Sequence, residues 1–207
     1  MDHIQAFGEF QKKDGYIFRK SAYLQWGEQT NSIGSFLLLN PGKAKPSNMK
    51  NMEGEIDGHY KVDTDLTMKQ MVKLVEKIYQ ADKLNGRIYI YNLFSLRNPK
   101  NQEAIMHFEQ LAEAKLIEPE EVLPSVEELQ KHPWICCGWG ISKEKKFKHL
   151  QKMKSLWQLR LQESGIRTFG KLHKNGTDYY HIKPQLVTDQ ELLIDELLNI
   201  YQMKYPV

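Results

Sequence analysis

Asn40-Pro41-Gly42 ends the apolar run "FLLLN" with three residues whose chemistry differs from the run before them. Proline removes an N–H and fixes φ, glycine lets a ligand approach the main chain closely, and an Asn amide offers both a donor and an acceptor. The same triplet is also an ordinary way to end a strand. Asn92 in "YIYNLF" closes another apolar run, where an amide can read the edge of a nucleobase or cap a turn. Phe94 follows it, and Trp139 stands between Gly138 and Gly140 in "CCGWG", so either ring could stack on a planar ligand or fill the core. His173 and His181, two of 7 histidines, could supply a proton or stabilise an anion, or could be structural.

These residues fall at the ends of alternating elements. "GYIFRKSAYLQWG" alternates like an early, edge-type strand, and "IGSFLLLN" is a continuous apolar run of the kind covered on both faces. A long polar stretch follows, until Asp65 caps a helix whose Met68, Met71, Val72, Val75, Ile78 and Tyr79 share one stripe. "GRIYIYNLFSL" reads as a strand, and Asn98-Pro99 opens a helix with Ala104, Ile105, Phe108, Leu111 and Ala112 inward. A capping box at Ser125 precedes a short helix and the strand "PWICCGWG". A Lys-rich helix then runs to Gly165, "IRTFGKLH" forms a fourth strand, and Thr188 with Glu191 caps a last helix through Ile200. Strands alternating with helices predict a three-layer α/β/α sandwich on a mostly parallel, four-stranded sheet, with ligands bound beyond the strands' carboxyl ends.

The chain has 207 residues, 41% of them hydrophobic, which suits one domain rather than two; 1–32 reads as an N-terminal strand region and 43–64 as a long functional loop. No apolar run approaches the roughly 20 residues a bilayer requires, and "MDHIQAFGEF" lacks signal-peptide character, so a soluble, cytoplasmic protein without membrane contact is expected. Cys136 and Cys137 are adjacent and cannot form a spaced metal set or a disulfide framework. The net charge of +3 hides an asymmetry: ten Lys or Arg against two acids from Ile141 to Lys174, beside eight Glu against one Lys from Asn101 to Gln130. The basic stretch reads either as a solvated helix face or as a footprint for phosphates.

The series "FRKSAYLQWG", "FLLLNPGKA", "DLTMKQMVKLVEK", "YIYNLFSLRNP" and "CCGWG" resembles the domain of unknown function 1643 family over nearly the whole chain. That family shows an early Arg and Trp segment, L-N-P-S-T-A, D-P-T-I, N-L-F-A-L-R and A-W-G in this order, and brings no established activity. More distantly, Leu39-Asn40-Pro41-Gly42 is similar to the water-positioning G-I-N-P-G loop of mismatch-specific relatives of the uracil-DNA glycosylases. Asn92 matches their base-reading L-L-N-T, and "GWGISKEKK" resembles L-W-G-S-H-A-Q-K-K through Trp139, Gly140, Ser142 and the lysines. The final H-P-S-P-L-S loop is not reproduced: His173-Lys174-Asn175-Gly176 lacks its prolines, which leaves the duplex wedge without a counterpart.

The resemblance implies a DNA glycosylase-like hydrolase acting on a flipped nucleobase. Asn40 would orient water and His173 would stabilise the departing base. Pro41, Gly42, Asn92, Phe94, Trp139 and Gly140 would hold the base, while Lys43, Ser142 and Lys143 would hold phosphates. Asp63 or Asp65 could add a carboxylate, Asp65 also serving as a helix cap. No metal or cofactor is required, and the partner would be DNA, another nucleic acid or a nucleotide. The alternative is a protein that binds nucleotides or nucleic acid in the same pocket without cleaving them.

Overall fold

The computed structural model describes residues 4–47, 56–80, 84–141 and 147–206. The N-terminal strands β1 (Ile4–Lys13) and β2 (Tyr16–Trp26) form an antiparallel hairpin. Asp14 and Gly15 join them at φ 51° and 80°, the left-handed pair that a tight two-residue turn requires. β3 (Ser32–Leu38) is the continuous apolar strand, and its neighbours explain that composition. Phe36 and Leu38 pack in one core and Leu37 and Leu39 in another, so no position in the run faces water.

β4 (Asp57–Val62) lies within the stretch read as a loop and pairs with β1; residues 48–55 lie outside the described residues. The later elements are α1 (Leu66–Tyr79), β5 (Gly86–Asn92), α2 (Asn101–Glu113), α3 (Val126–Gln130) and β6 (Ile135–Cys137). They end with α4 (Lys148–Ser164), β7 (Thr168–Phe169) and α5 (Val187–Lys204). Asp65 caps α1 by accepting from the Met68 amide at 2.9 Å, and Ser125 caps α3 through Glu128 N. Thr188 does not cap α5: the helix already begins at Val187, and the residue before it, Leu186, has no side chain able to accept.

The sheet is seven-stranded and mixed, in the order β4-β1-β2-β5-β3-β6-β7, rather than four-stranded and mostly parallel. Its β5-β3-β6-β7 half is parallel, as strands joined through helices must be, whereas the closely linked β1–β2 hairpin extends it antiparallel. Side chains of α1 and α5 fill the core on one face, and those of α2 and α4 fill the core on the other. Among the described residues no helix is long and apolar enough to cross a membrane.

Candidate functional site

A cavity of about 720 Å³ opens beyond the carboxyl ends of β3, β6 and β7, the position expected for a ligand in such a sheet. Asn40, Pro41, Gly42 and Lys43 form one wall, Gly140 and Ile141 another, and the chain from Tyr180 to Gln185 closes it opposite the first turn of α1. The strand-end loop is held from behind. Arg97 donates through Nε to Ala44 O at 2.7 Å and through Nη2 to Lys43 O at 2.8 Å, a forked contact with two successive carbonyls.

Asn40 is itself fixed. Its Nδ2 donates to Asn98 O at 2.9 Å and to Leu96 O at 3.5 Å, so the amide's orientation is set and its donor group is used by main chain. The carbonyl oxygen Oδ1 has no partner among the described residues and is left to accept from a ligand or a water. The triplet met first in the sequence therefore does form a cavity wall.

Not every residue singled out in the sequence reaches this cavity. Trp139 is 1% exposed; its Nε1 donates to Asp178 Oδ1 at 3.2 Å and its ring meets Tyr179 edge-on, so it is a core residue. Phe94 is stacked on Phe108 at 4.4 Å inside the opposite core and cannot offer a ring face to the cavity. His173 organises the 173–178 turn, its Nδ1 accepting from Asn175 N, and takes no part in the wall. Asn92 is buried and not part of the wall either; it accepts from Arg19, which is. Ser142 and Lys143 lie outside the described residues. Asp63 is not among the lining residues, whereas Asp65 is, with its Oδ1 spent on the helix cap.

In place of those residues the fold brings Arg19, Tyr180 and His181 to the cavity. His181 Nδ1 lies 3.1 Å from Lys183 O and 3.2 Å from Lys183 N, so either tautomer of the neutral ring finds a partner in the Lys183 main chain. Burial lowers the His181 pKa, and contact with the Lys183 backbone only partly offsets this, so the ring is neutral at pH 7. Burial pushes Arg19 down to about 10 against the attraction of Asp65 and with repulsion from Arg97, which still leaves it charged.

The Lys-rich helix has a different use from the phosphate footprint. Glu109 on α2 accepts from the His149 and Leu150 amides at 3.2 and 2.7 Å, capping α4 from a neighbouring helix. Glu113 pairs with Lys148 at 2.6 Å, and Glu120 pairs with Lys152. The acidic and basic segments that stood side by side in the sequence thus answer each other across a helix interface.

Comparison of the chain with protein-family models, curated proteins and solved structures returns no match. Among the described residues no group of three or more His, Cys, Asp or Glu side chains is placed to hold a metal ion, and both cysteines are buried thiols.

Proposed function

We propose that the cavity binds a nucleotide, free or extruded from nucleic acid, and that a water oriented by Asn40 hydrolyses its N-glycosidic bond. The chemistry is that of a DNA glycosylase-like hydrolase. The observation that carries this reading is the fixed Asn40 amide, with Nδ2 committed to two carbonyls and Oδ1 without a partner among the described residues, in a wall beyond the first parallel strand. The four mutually parallel strands and the match of Asn40-Pro41-Gly42 to the water-positioning loop support a three-layer, uracil-DNA-glycosylase-like core extended by three antiparallel strands.

In this mechanism the bond from C1′ to the base nitrogen breaks with its electron pair leaving on the base, and the sugar gains oxocarbenium character. A water held by Asn40 Oδ1 adds to C1′ and loses a proton to solvent. His181, on the wall, takes the role first given to His173, its Nε2–H tautomer donating a hydrogen bond to the departing base. Tyr180, 38% exposed on the wall, replaces Trp139 and Phe94 as the ring available to a base.

One observation favours binding without cleavage. The described carboxylates of the wall are engaged elsewhere: Asp65 accepts from the Met68 amide, Glu196 pairs with Lys171, and Asp189 accepts from the Thr188 hydroxyl. Incubation with DNA carrying normal, deaminated and hypermodified bases, and with free nucleotides, separates the readings through abasic sites and released base. Product formation abolished by Asn40→Ala upholds the hydrolase. Tight binding with no product establishes the binding protein, and neither binding nor product overturns both.

A further inference from the structure

Arg19, on β2, forms part of the cavity wall although only 4% of its surface is exposed. A guanidinium withdrawn from water requires a compensating anion. Among the described residues no carboxylate lies within ion-pairing distance of Arg19. Asp65 acts on it through its field but spends Oδ1 on Met68 N.

Hydrogen-bond donors are also in excess here. Arg19 Nη2 donates to Asn92 Oδ1 at 2.9 Å, whereas Arg19 Nε and Asn92 Nδ2 are buried without partners among the described residues. The first turn of α1, a helix of 14 residues, lines the same cavity, and the Leu66 and Thr67 amides at its start have no acceptor within the helix. A buried cation and a helix N-terminus on one wall call for a ligand that is negative and rich in acceptors.

We propose that this wall is an anion seat, in which Arg19 receives a phosphate group of the ligand and Asn92 orients the guanidinium from behind. Choosing phosphate over other anions rests on the nucleotide reading above; the need for an anion does not. Asn92, first read as a base-recognising residue, becomes a positioning residue for Arg19.

The test measures thermal protection and affinity for inorganic phosphate, then for the common deoxynucleoside 5′-monophosphates beside the matching nucleosides. Phosphate is expected to protect the protein, and monophosphates to bind at least about tenfold more tightly than their nucleosides. Arg19→Gln removes the charge, and Asn92→Asp gives Arg19 an internal counter-ion. Both are expected to weaken phosphate binding at least about tenfold while the ligand-free protein melts no lower than the wild type, a combination that misfolding does not produce. Equal affinity for nucleosides and monophosphates, absence of phosphate protection, or phosphate binding untouched by either substitution overturns the seat and leaves the nucleotide reading standing. Phosphate binding that is lost in both variants, with no nucleoside or nucleotide bound by the wild type, upholds the seat and overturns the nucleotide reading.

Discussion

Lys154 Nζ and Asp178 Oδ1 lie 2.5 Å apart with their side chains only 5% and 4% exposed, an ion pair sealed between α4 and the turn after β7. The remaining demands of the carboxylate are met: Trp139 Nε1 donates to Oδ1 at 3.2 Å, and Asn175 Nδ2 donates to Oδ2 at 2.9 Å. The pair fastens the segment that leads into Tyr180 and His181 to α4. Its strength depends on both charges being present.

Removing one charge from this pair strands the other in the core. Asp178→Asn or Lys154→Met is expected to cost about 3–5 kcal/mol in urea unfolding, and the double variant less than the sum of the two. Although burial alone would raise the Asp178 pKa, the bonds from Lys154 and Asn175 hold it below the ordinary 3.8. Its stabilisation is therefore present above that value and is lost as pH falls through the lower, folded-state pKa. Strictly additive single-variant losses would show that the two charges do not act together.

His132 predicts a second pH dependence, in a milder range. Its ring lies between Tyr91 OH and Ser32 Oγ, each at 2.7 Å, and burial lowers its pKa from 6.5 to about 4 against the attraction of Glu128. The unfolded chain takes up the proton first on acidification. Stability is complete above pH 6.5 and declines as pH falls toward 4, by on the order of 3 kcal/mol at one proton. His132→Gln is expected to flatten that part of the stability profile; a profile as steep as the wild type's would assign the effect elsewhere.

Local chemistry made much of this arrangement legible in advance. β3 announced itself because both of its faces are covered, and α1 and α3 did so because Asp65 and Ser125 bond within three residues of themselves. The N-terminal hairpin carries its own local signal, the Asp14-Gly15 dipeptide between two alternating runs. β7 is shorter than "IRTFGKLH" suggested because the chain beyond Phe169 pairs instead with residues 178–180, Tyr180 N donating to Lys171 O and His173 N to Asp178 O. The site was harder to read because its decisive contacts are distant: Arg19 meets Asn92 across 73 positions and Trp139 meets Asp178 across 39. A tryptophan between glycines has the same local pattern whether it faces a ligand or the core, and only the partner of its N–H decides.

The strand-end loop should loosen without the fork that grips it. Arg97→Lys retains a charge but cannot bond two successive carbonyls in the same plane. Faster amide exchange at residues 42–45 is expected, with a global stability change of about 1 kcal/mol or less, because Arg97 is only half-buried. Phosphate and nucleotide binding should weaken in parallel. Unchanged exchange in the loop would mean that Pro41 and the Pro46–Val62 bridge hold it unaided.

Asn40 separates structural support from chemistry within a single side chain. Asn40→Ala leaves the carbonyls of Leu96 and Asn98 without their donor and is expected to cost about 1–3 kcal/mol, besides abolishing any turnover. Asn40→Asp is more informative, because a carboxylate keeps an acceptor for water yet can bond those carbonyls only when protonated. The introduced group should therefore have a raised pKa in the folded state, and the deficit relative to wild type should be small at low pH and grow as pH rises through that value. If the cavity is hydrolytic, Asn40→Asp retains product formation that Asn40→Ala loses, and rates measured against pH rise with ionisation of the new carboxylate. If both variants bind ligand and neither they nor the wild type form product, Asn40 serves only to build the wall, and the cavity is a binding site.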